Sequence, residues 1–164
     1  MKKLLVLVAL AAALAAYGVP FFSLTEGGAR RFLDELETLS MEGKSAEYCE
    51  RLHPDLAVSI NDRSADPPAV FDGNKQDFCD YVSMAAKGMH LLGVSMDVKR
   101  NEFKVTRSWL HPWTARVTYK EDRTTTMSKL NASLHTQSED ELTLVQTLHG
   151  VKLRALKTRA WEVK

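Results

Sequence analysis

The chain has 164 residues, with 22 lysines and arginines against 21 aspartates and glutamates. Removing the first sixteen residues, which include Lys2 and Lys3, leaves 148 residues of nearly balanced charge. That length corresponds to one domain. Because nucleic-acid binding depends on neutralising phosphates, the charge balance argues against a DNA or RNA partner.

The N-terminus predicts export. Lys2 and Lys3 precede an uninterrupted apolar run at residues 4–16, and Ala13-Leu14-Ala15 supplies the small residues that a signal peptidase recognises. The run is shorter than the stretch of about 20 residues that spans a membrane. We therefore predict a signal peptide at residues 1–16.

The alternative is an uncleaved anchor that extends to Phe22. A lipoprotein is excluded because no cysteine directly follows the apolar run. We expect a bacterial protein that is periplasmic or secreted, or one anchored in the inner membrane with its domain facing the periplasm. Residues 17–28 are interpreted as a linker, and residues 29–164 as the domain.

Cys49 and Cys79 are the only two cysteines of the chain. Both fall in segments that we predict to be helical, and export would place them where disulfides form and persist. We predict a disulfide between them, the alternative being two buried, unpaired thiols.

Helical periodicity and strand-like segments alternate in the first half of the chain. Apolar residues spaced three and four apart predict a helix over residues 29–43, and Ser45 can cap a short second helix that stops at His53. Two short strands are predicted at residues 56–60 and 69–71. Asn74 can then cap a third helix, for which Gly88 has the position of a C-terminal glycine.

From Leu92 onward, apolar and polar residues alternate, and this pattern predicts strands. The alternating segments cover residues 92–105, 113–120, 130–134, 141–148 and 151–163. Residues 100–102 are interpreted as a turn or a bulge, and His149-Gly150 as a hairpin turn. The polar runs at 122–126 and 138–141 are interpreted as solvated strand ends and turns.

This order predicts an α+β fold in which three N-terminal helices pack on a strongly curved antiparallel sheet. Four features carry a family resemblance: the helix at 29–41, Tyr48-Cys49-x-x-Leu52-x-Pro54-Asp55, the step from Phe71-Asp72-Gly73 into the helix at 74–86, and Val151-x-Leu153. In these features the chain resembles the nuclear transport factor 2-like superfamily. That superfamily includes ketosteroid isomerases, polyketide cyclases and many non-enzymatic domains.

The resemblance implies a cone-shaped domain with a pocket at its open end. We predict that Tyr48, Tyr81, Trp109, His111 and Trp113 line this pocket, because aromatic side chains with polar tips suit a mostly apolar site. The alternative is that these aromatic residues belong to the core and that His111-Pro112-Trp113 is a strand break.

No catalytic constellation is evident in the sequence. Asp80 and Asp97 are interpreted as residues of a solvated helix face and a solvated sheet face. The five histidines lack the spacing of metal ligands, so we predict neither a metal nor a cofactor.

Three functions remain open. The first is a non-catalytic binding or accessory domain whose apolar cone pocket or outer face takes a small apolar ligand or a cell-envelope protein. The second is a small isomerase or hydrolase of the ketosteroid-isomerase type, which would require a buried carboxylate or histidine in the cone. The third is a homodimeric structural domain of the cell envelope, which apolar residues on the outer sheet face, such as Val145 and Leu156, would favour.

Overall fold

The computed structural model describes residues 24–64 and 67–163. The predicted signal peptide and most of the predicted linker lie outside the described residues. Leu24 is fully buried in the core. Thr25 caps the first helix, because its hydroxyl oxygen accepts a hydrogen bond of 3.2 Å from the backbone N–H of Gly28.

In the described part of the chain, three α-helices pack against one face of a sheet. They are α1 (Glu26–Met41), α2 (Ser45–Glu50) and α3 (Lys75–Leu92). The buried side of α1 is the apolar stripe that the periodicity predicted. Its members are Ala29, Phe32, Leu33, Leu36 and Leu39.

Helix α3 begins where the sequence predicted and ends later. The Asn74 side chain accepts from the backbone N–H groups of Gln76 and Asp77, and the Asp77 carboxylate accepts from the Asn74 N–H, which completes a capping box. The predicted end at Gly88 is wrong. The helix continues to Leu92 and stops at Gly93, whose φ of 61° is the left-handed conformation that glycine adopts at low cost.

The sheet has six strands, and it is mixed. The strands are β1 (Leu52–Asp62), β2 (Ala69–Gly73), β3 (Val94–Ser108), β4 (His111–Met127), β5 (Ala132–Thr147) and β6 (Gly150–Glu162). Their order across the sheet is β2-β1-β6-β5-β4-β3. The α+β class is thus confirmed, and the strong curvature of the sheet stays a prediction.

Two details of the predicted architecture are wrong. The sheet is not antiparallel throughout, because β1 runs parallel to β6, with Val58 opposite Leu156. Nor do all three helices precede the sheet, since β1 and β2 come before α3. The parallel pair arises because the last strand returns to lie between β1 and β5. The order of helices and strands is the one already implied by the predicted strands at 56–60 and 69–71, which precede the third helix.

The polar runs interpreted as strand ends lie inside long strands. Residues 122–126 belong to β4, residues 138–141 belong to β5, and the two predicted segments at 130–134 and 141–148 form one strand. A bulge interrupts β3 between Asn101 and Lys104, with Glu102 at a φ of 51°, whereas Arg100 and Asn101 pair regularly with β4.

A disulfide joins Cys49 in α2 to Cys79 in α3, as predicted from the sequence. The two cysteines are 30 residues apart along the chain, and the bond links their helices. In the part of the chain that the structure describes, no helix is both long and apolar enough to cross a membrane.

Candidate ligand-binding cavity

A cavity of about 370 Å³ lies between the helices and the face of the sheet turned toward them, which we call the inner face. This volume lies within the range of small-molecule sites. Much of the cavity wall is apolar. The apolar residues on it include Leu36, Ile60, Phe78, Val82, Leu142 and Leu156.

Leu156 was predicted on the outer face with Val145, and that placement is wrong. Simple alternation from the inward-facing Leu153 would turn Leu156 outward. A bulge in β6 adds one residue to the register, so that both Leu153 and Leu156 lie opposite inward-facing residues of β5, Leu144 and Leu142. Leu156 therefore lines the cavity.

Two of the predicted pocket residues line the cavity. Tyr48 of α2 and Tyr81 of α3 both lie on its wall, and both rings pack against Phe78, with centroids 6.3 Å and 6.1 Å away. Burial raises the pKa of Tyr48 to about 12, so its phenol keeps its proton at neutral pH. Tyr81 is 44 % exposed.

The other three predicted pocket residues do not line the cavity. Trp109 lies in the turn between β3 and β4, His111 begins β4, and Trp113 follows two residues later. Trp109 is 87 % exposed. The physical reason is position along the strands: the buried Ala115 and Val117 separate these residues from the inner-face positions that reach the cavity.

A buried ion-pair network centred on Arg100 forms one side of the cavity. Its guanidinium donates to Glu121 (3.1 Å), Glu37 (2.6 Å) and Asp34 (2.7 Å), and so joins β3 to β4 and to α1. Glu121 is 4 % exposed and also accepts from Arg123 at 2.5 Å. Because each buried charge has a partner of opposite sign, the ion pairs of this network offset the cost of burying its charges.

Asp140 is the second buried acid on the cavity wall. It is 8 % exposed, and its two carboxylate oxygens accept hydrogen bonds from the hydroxyls of Ser138 (2.6 Å) and Thr158 (2.5 Å). Burial raises the pKa of this carboxyl, and the two hydroxyls only partly oppose that effect. A carboxylate can accept about four hydrogen bonds, so Asp140 retains acceptor capacity.

Tyr119 lies directly opposite Asp140 in the pairing of β4 with β5. Its ring stacks on Phe103, with the centroids 5.4 Å apart. Burial, followed by the neighbouring charges of Asp140 and Glu121, raises the pKa of Tyr119 well above its usual value. The phenol of Tyr119 is therefore neutral at ordinary pH.

The cavity wall carries more acidic than basic side chains. Glu37, Asp62, Glu121 and Asp140 face two arginines, Arg100 and Arg123. Asp62 accepts from the backbone and the hydroxyl of Ser64. When all six groups are ionised, the excess of two negative charges favours cations and hydrogen-bond donors over anions.

The sequence interpretation passed over Arg100, Arg123 and Asp140 because it assigned residues 100–102 to a turn or bulge and residues 122–126 and 138–141 to solvated strand ends and turns. Asp80 and Asp97, which it did weigh, are exposed and do not line the cavity. Within residues 24–64 and 67–163, no cluster of three or more histidine, cysteine, aspartate or glutamate side chains could hold a metal ion.

Comparison with known proteins supports the fold. Neither a protein-family model nor a curated protein matches the chain. Among solved structures, a nuclear transport factor 2-like protein with a cystatin-like fold from Novosphingobium aromaticivorans is similar, with a TM-score of 0.62 and 15 % identity. The alignment covers 93 % of this chain and 88 % of that protein.

Two further structures share this architecture. The β subunit of benzoate 1,2-dioxygenase from Burkholderia mallei aligns with a TM-score of 0.65 at 9 % identity, over 84 % of this chain and 91 % of that one. A putative scytalone dehydratase from Novosphingobium aromaticivorans aligns with a TM-score of 0.59 at 11 % identity, over 83 % and 85 %. The chain therefore has the nuclear transport factor 2-like fold, so the resemblance seen in the sequence is confirmed at the level of the fold.

Proposed function

We propose that the domain binds a small molecule in the cavity. The apolar body of this ligand would pack against the helices, and a neutral or cationic hydrogen-bond donor of the ligand would bind Asp140. The observation that carries this proposal is the position of Asp140, a buried carboxyl on the wall of a cavity of about 370 Å³ with acceptor capacity left over. Arg100 and Glu121 already bind each other, whereas the hydrogen-bond partners of the buried Asp140 are two neutral hydroxyls.

We also propose that the domain works in an oxidising compartment outside the cytoplasm. The disulfide between Cys49 and Cys79 supports this location, because such bonds persist after export. Cleavage of the leader and its retention as an anchor both remain compatible with a periplasmic domain.

A matched set of ligands tests the binding proposal. We would compare 1-naphthylmethanol, 1-naphthylmethylamine and 1-naphthoate, which share one ring system and differ in the polar group, and measure the shift that each causes in the thermal midpoint. The alcohol and the amine are expected to raise the midpoint because they donate to Asp140. The carboxylate is expected to bind least, since it would face the acidic wall.

Two variants serve as controls. Ala85→Phe fills the cavity from α3 and should abolish the shift with every ligand. Asp140→Asn keeps the shape of the side chain but removes its charge, so it should weaken the response to the amine more than the response to the alcohol. If no ligand shifts the midpoint, or if Ala85→Phe leaves the shifts unchanged, the cavity is not the binding site.

An acid–base enzyme is the second candidate, and Asp140 is again the reason. A buried carboxyl of raised pKa beside an apolar cavity has the character of a general base or acid, and Tyr48 on the same wall is a protonated phenol that could stabilise a developing oxyanion. The putative scytalone dehydratase shows that a protein described as an enzyme uses this fold.

This second candidate predicts exchange of carbon-bound hydrogen. The α-hydrogens of α-tetralone in D₂O should exchange faster with the wild-type domain than with Asp140→Asn, as followed by proton NMR. Equal exchange rates for the wild type and Asp140→Asn would contradict the enzyme candidate and favour the binding function.

The homodimeric alternative depends on an apolar outer face. On that face Arg116 pairs with Glu141 at 2.5 Å and Lys120 pairs with Glu102 at 2.8 Å, and all four side chains are solvent-accessible. Exposed ion pairs of this kind favour contact with water over an apolar dimer interface.

A further inference from the structure

Two hairpin turns at one end of the sheet expose large apolar side chains. Trp109 and Leu110 form the turn between β3 and β4 and are 87 % and 62 % exposed, and Leu148 in the turn between β5 and β6 is fully exposed. The two turns are neighbours because β4 pairs with β5. Together with Trp113, which is 40 % exposed, these residues are called the tip surface.

The strands that lead to the two turns carry cations and no acids near the tip surface, and Glu26 in the first turn of α1 is paired with Arg30. The sequence contains no aspartate or glutamate from residue 103 to residue 120, nor from residue 142 to residue 161. These stretches include both turns and the strands that lead to them. The cations nearest the turns are Arg107, Lys152 and Arg154, so this end of the domain combines aromatic side chains with positive charge.

The N-terminal chain enters the domain at the same end. Arg30, in the first half of α1, lies over the ring of Phe103, with its guanidinium carbon 4.1 Å from the ring centre. Arg100, earlier on β3, binds Glu37 in the second half of α1. Helix α1 is thus antiparallel to β3, and its first turn and Leu24 point toward the end of β3 that carries Trp109.

We propose that the tip surface docks on an anionic lipid bilayer. Tryptophan favours the interface between lipid headgroups and acyl chains, and lysines and arginines near an anionic membrane each add to the attraction. If the leader is retained as the anchor that extends to Phe22, it would join the domain at Leu24 and hold the tip surface beside the membrane. This inference is independent of the proposed ligand in the cavity.

A lipid partner fits the tip surface better than a second protein does. There are four apolar residues: three sit in the two turns, and Trp113 lies near the start of β4. A stable protein interface takes roughly 20 residues from each partner. Shallow insertion of a few aromatic and aliphatic side chains, flanked by cations, suits a bilayer.

Depth-dependent quenching of tryptophan fluorescence tests the proposal in the full chain. One variant, Trp113→Phe with Trp161→Phe, keeps Trp109 as its sole tryptophan. The matched control, Trp109→Phe with Trp113→Phe, keeps Trp161, which lies opposite Gln137 at the far end of the sheet. Each would be mixed with phosphatidylcholine–phosphatidylglycerol vesicles that contain lipids brominated near the headgroup.

We expect brominated lipid to quench Trp109 and to leave Trp161 nearly unchanged. The quenching of Trp109 should be lost when Leu148→Asp is added, because that substitution places a negative charge at the neighbouring turn. It should also decrease in vesicles of phosphatidylcholine alone, which lack the anionic headgroup.

Other results would overturn the proposal. If the full chain binds vesicles while Trp109 stays unquenched, the tips face water and the attachment lies elsewhere. If the chain does not bind the vesicles, no membrane docking takes place. If the emission of Trp109 is already blue-shifted without lipid, the tip surface is covered by the N-terminal segment or by a second copy.

Discussion

Arg100 joins strand β3 to helix α1 and to strand β4 through three ion pairs. The side chain is only 12 % exposed, and its partner Glu121 is 4 % exposed. A buried pair of this kind adds little net stability. Removal of one partner, however, leaves the other charge without a counter-charge in a poorly solvated site. The network therefore makes Arg100 sensitive to substitution in a way that surface arginines are not.

Arg100→Gln is expected to lower the free energy of unfolding by about 3 kcal/mol, because Glu121 would keep Arg123 as its only partner. Arg116→Gln is the matched control, since Arg116 forms a pair on the outer face and is 61 % exposed. Its loss should stay within about 0.5 kcal/mol. Urea unfolding of both variants measures the difference, and equal losses would show that burial of the network has no energetic consequence.

Asp140 gives the stability of the domain a specific pH dependence. Because burial raises the pKa of this carboxyl in the folded state, the folded protein binds more protons than the unfolded chain just above the ordinary value of about 3.9. The stability contributed by this carboxyl therefore falls as pH rises from about 4 through the folded pKa.

Asp140→Asn removes the titration and should retain hydrogen bonds with Ser138 and Thr158. We expect the stability of the variant relative to wild type to increase with pH over this window, by about 1.4 kcal/mol for each unit of the pKa shift. Urea unfolding over a pH series measures the relative stability. A difference that is constant across the series would mean that Asp140 has an ordinary pKa.

The ends of elements show where sequence interpretation succeeds and where it fails. Asn74 was identified as a cap because its chemistry acts locally, on the N–H groups two and three residues ahead. Gly88 was taken as the end of α3 because glycine is usual there, but Met89 to Leu92 continue the helix and Gly93 provides the left-handed residue. The sequence contains both glycines, and only the tertiary structure decides between them.

The two glycines should respond oppositely to the same substitution. Gly93→Ala should lower the free energy of unfolding by about 1 to 2 kcal/mol, because φ is positive and a Cβ would clash with Ser128 Oγ. Gly88→Ala should raise it by about 0.5 to 1 kcal/mol, because a Cβ there meets no atom within 4 Å and alanine is the better helix former. Chemical denaturation of both variants measures these effects, and similar losses at the two sites would place the helix end at Gly88.

The disulfide acts between elements. It fastens the short helix α2 to α3, and the chain-entropy model assigns a loop of 30 residues about 3 to 4 kcal/mol. The double variant Cys49→Ser with Cys79→Ser should lose that much stability. Wild-type protein unfolded in dithiothreitol is the control, and it should match the variant. A variant as stable as the oxidised protein would show that packing alone positions α2.

At the scale of the whole molecule, the inner face divides into an apolar half and a polar half. Along β4 the inward positions change from Ala115 and Val117 to Glu121 and Arg123, and along β5 they change from Leu144 and Leu142 to Asp140. The apolar half forms the core with α1, while the polar half forms much of the cavity wall. This division explains the uneven outcome of the sequence interpretation.

The fold class, most elements and the disulfide could be predicted because they depend on local periodicity and spacing. The polar half of the site could not, because charged residues inside a strand resemble a solvated turn until the strand is known to continue. One signal was available: Glu121 and Arg123 keep the phase of Val117, and Asp140 keeps the phase of Leu142. Following that phase through the polar runs would have placed these residues on the inner face.

The parallel pairing of β1 with β6 also constrains the order in which the chain can fold. Val58 and Leu156 pair although they lie 98 residues apart in the chain, whereas β3, β4, β5 and β6 form a meander of neighbouring hairpins. Since closing long loops is slow, the meander should form first and β1 should dock last. Pulsed hydrogen exchange during refolding should therefore protect the amides of β4 and β5 before those of β1. A chain that emerges N-terminus first from a ribosome or a translocon cannot pair β1 with the meander until β6 has emerged. During that interval the edge of β1 that later pairs with β6 is unpaired, and a chaperone would be needed most.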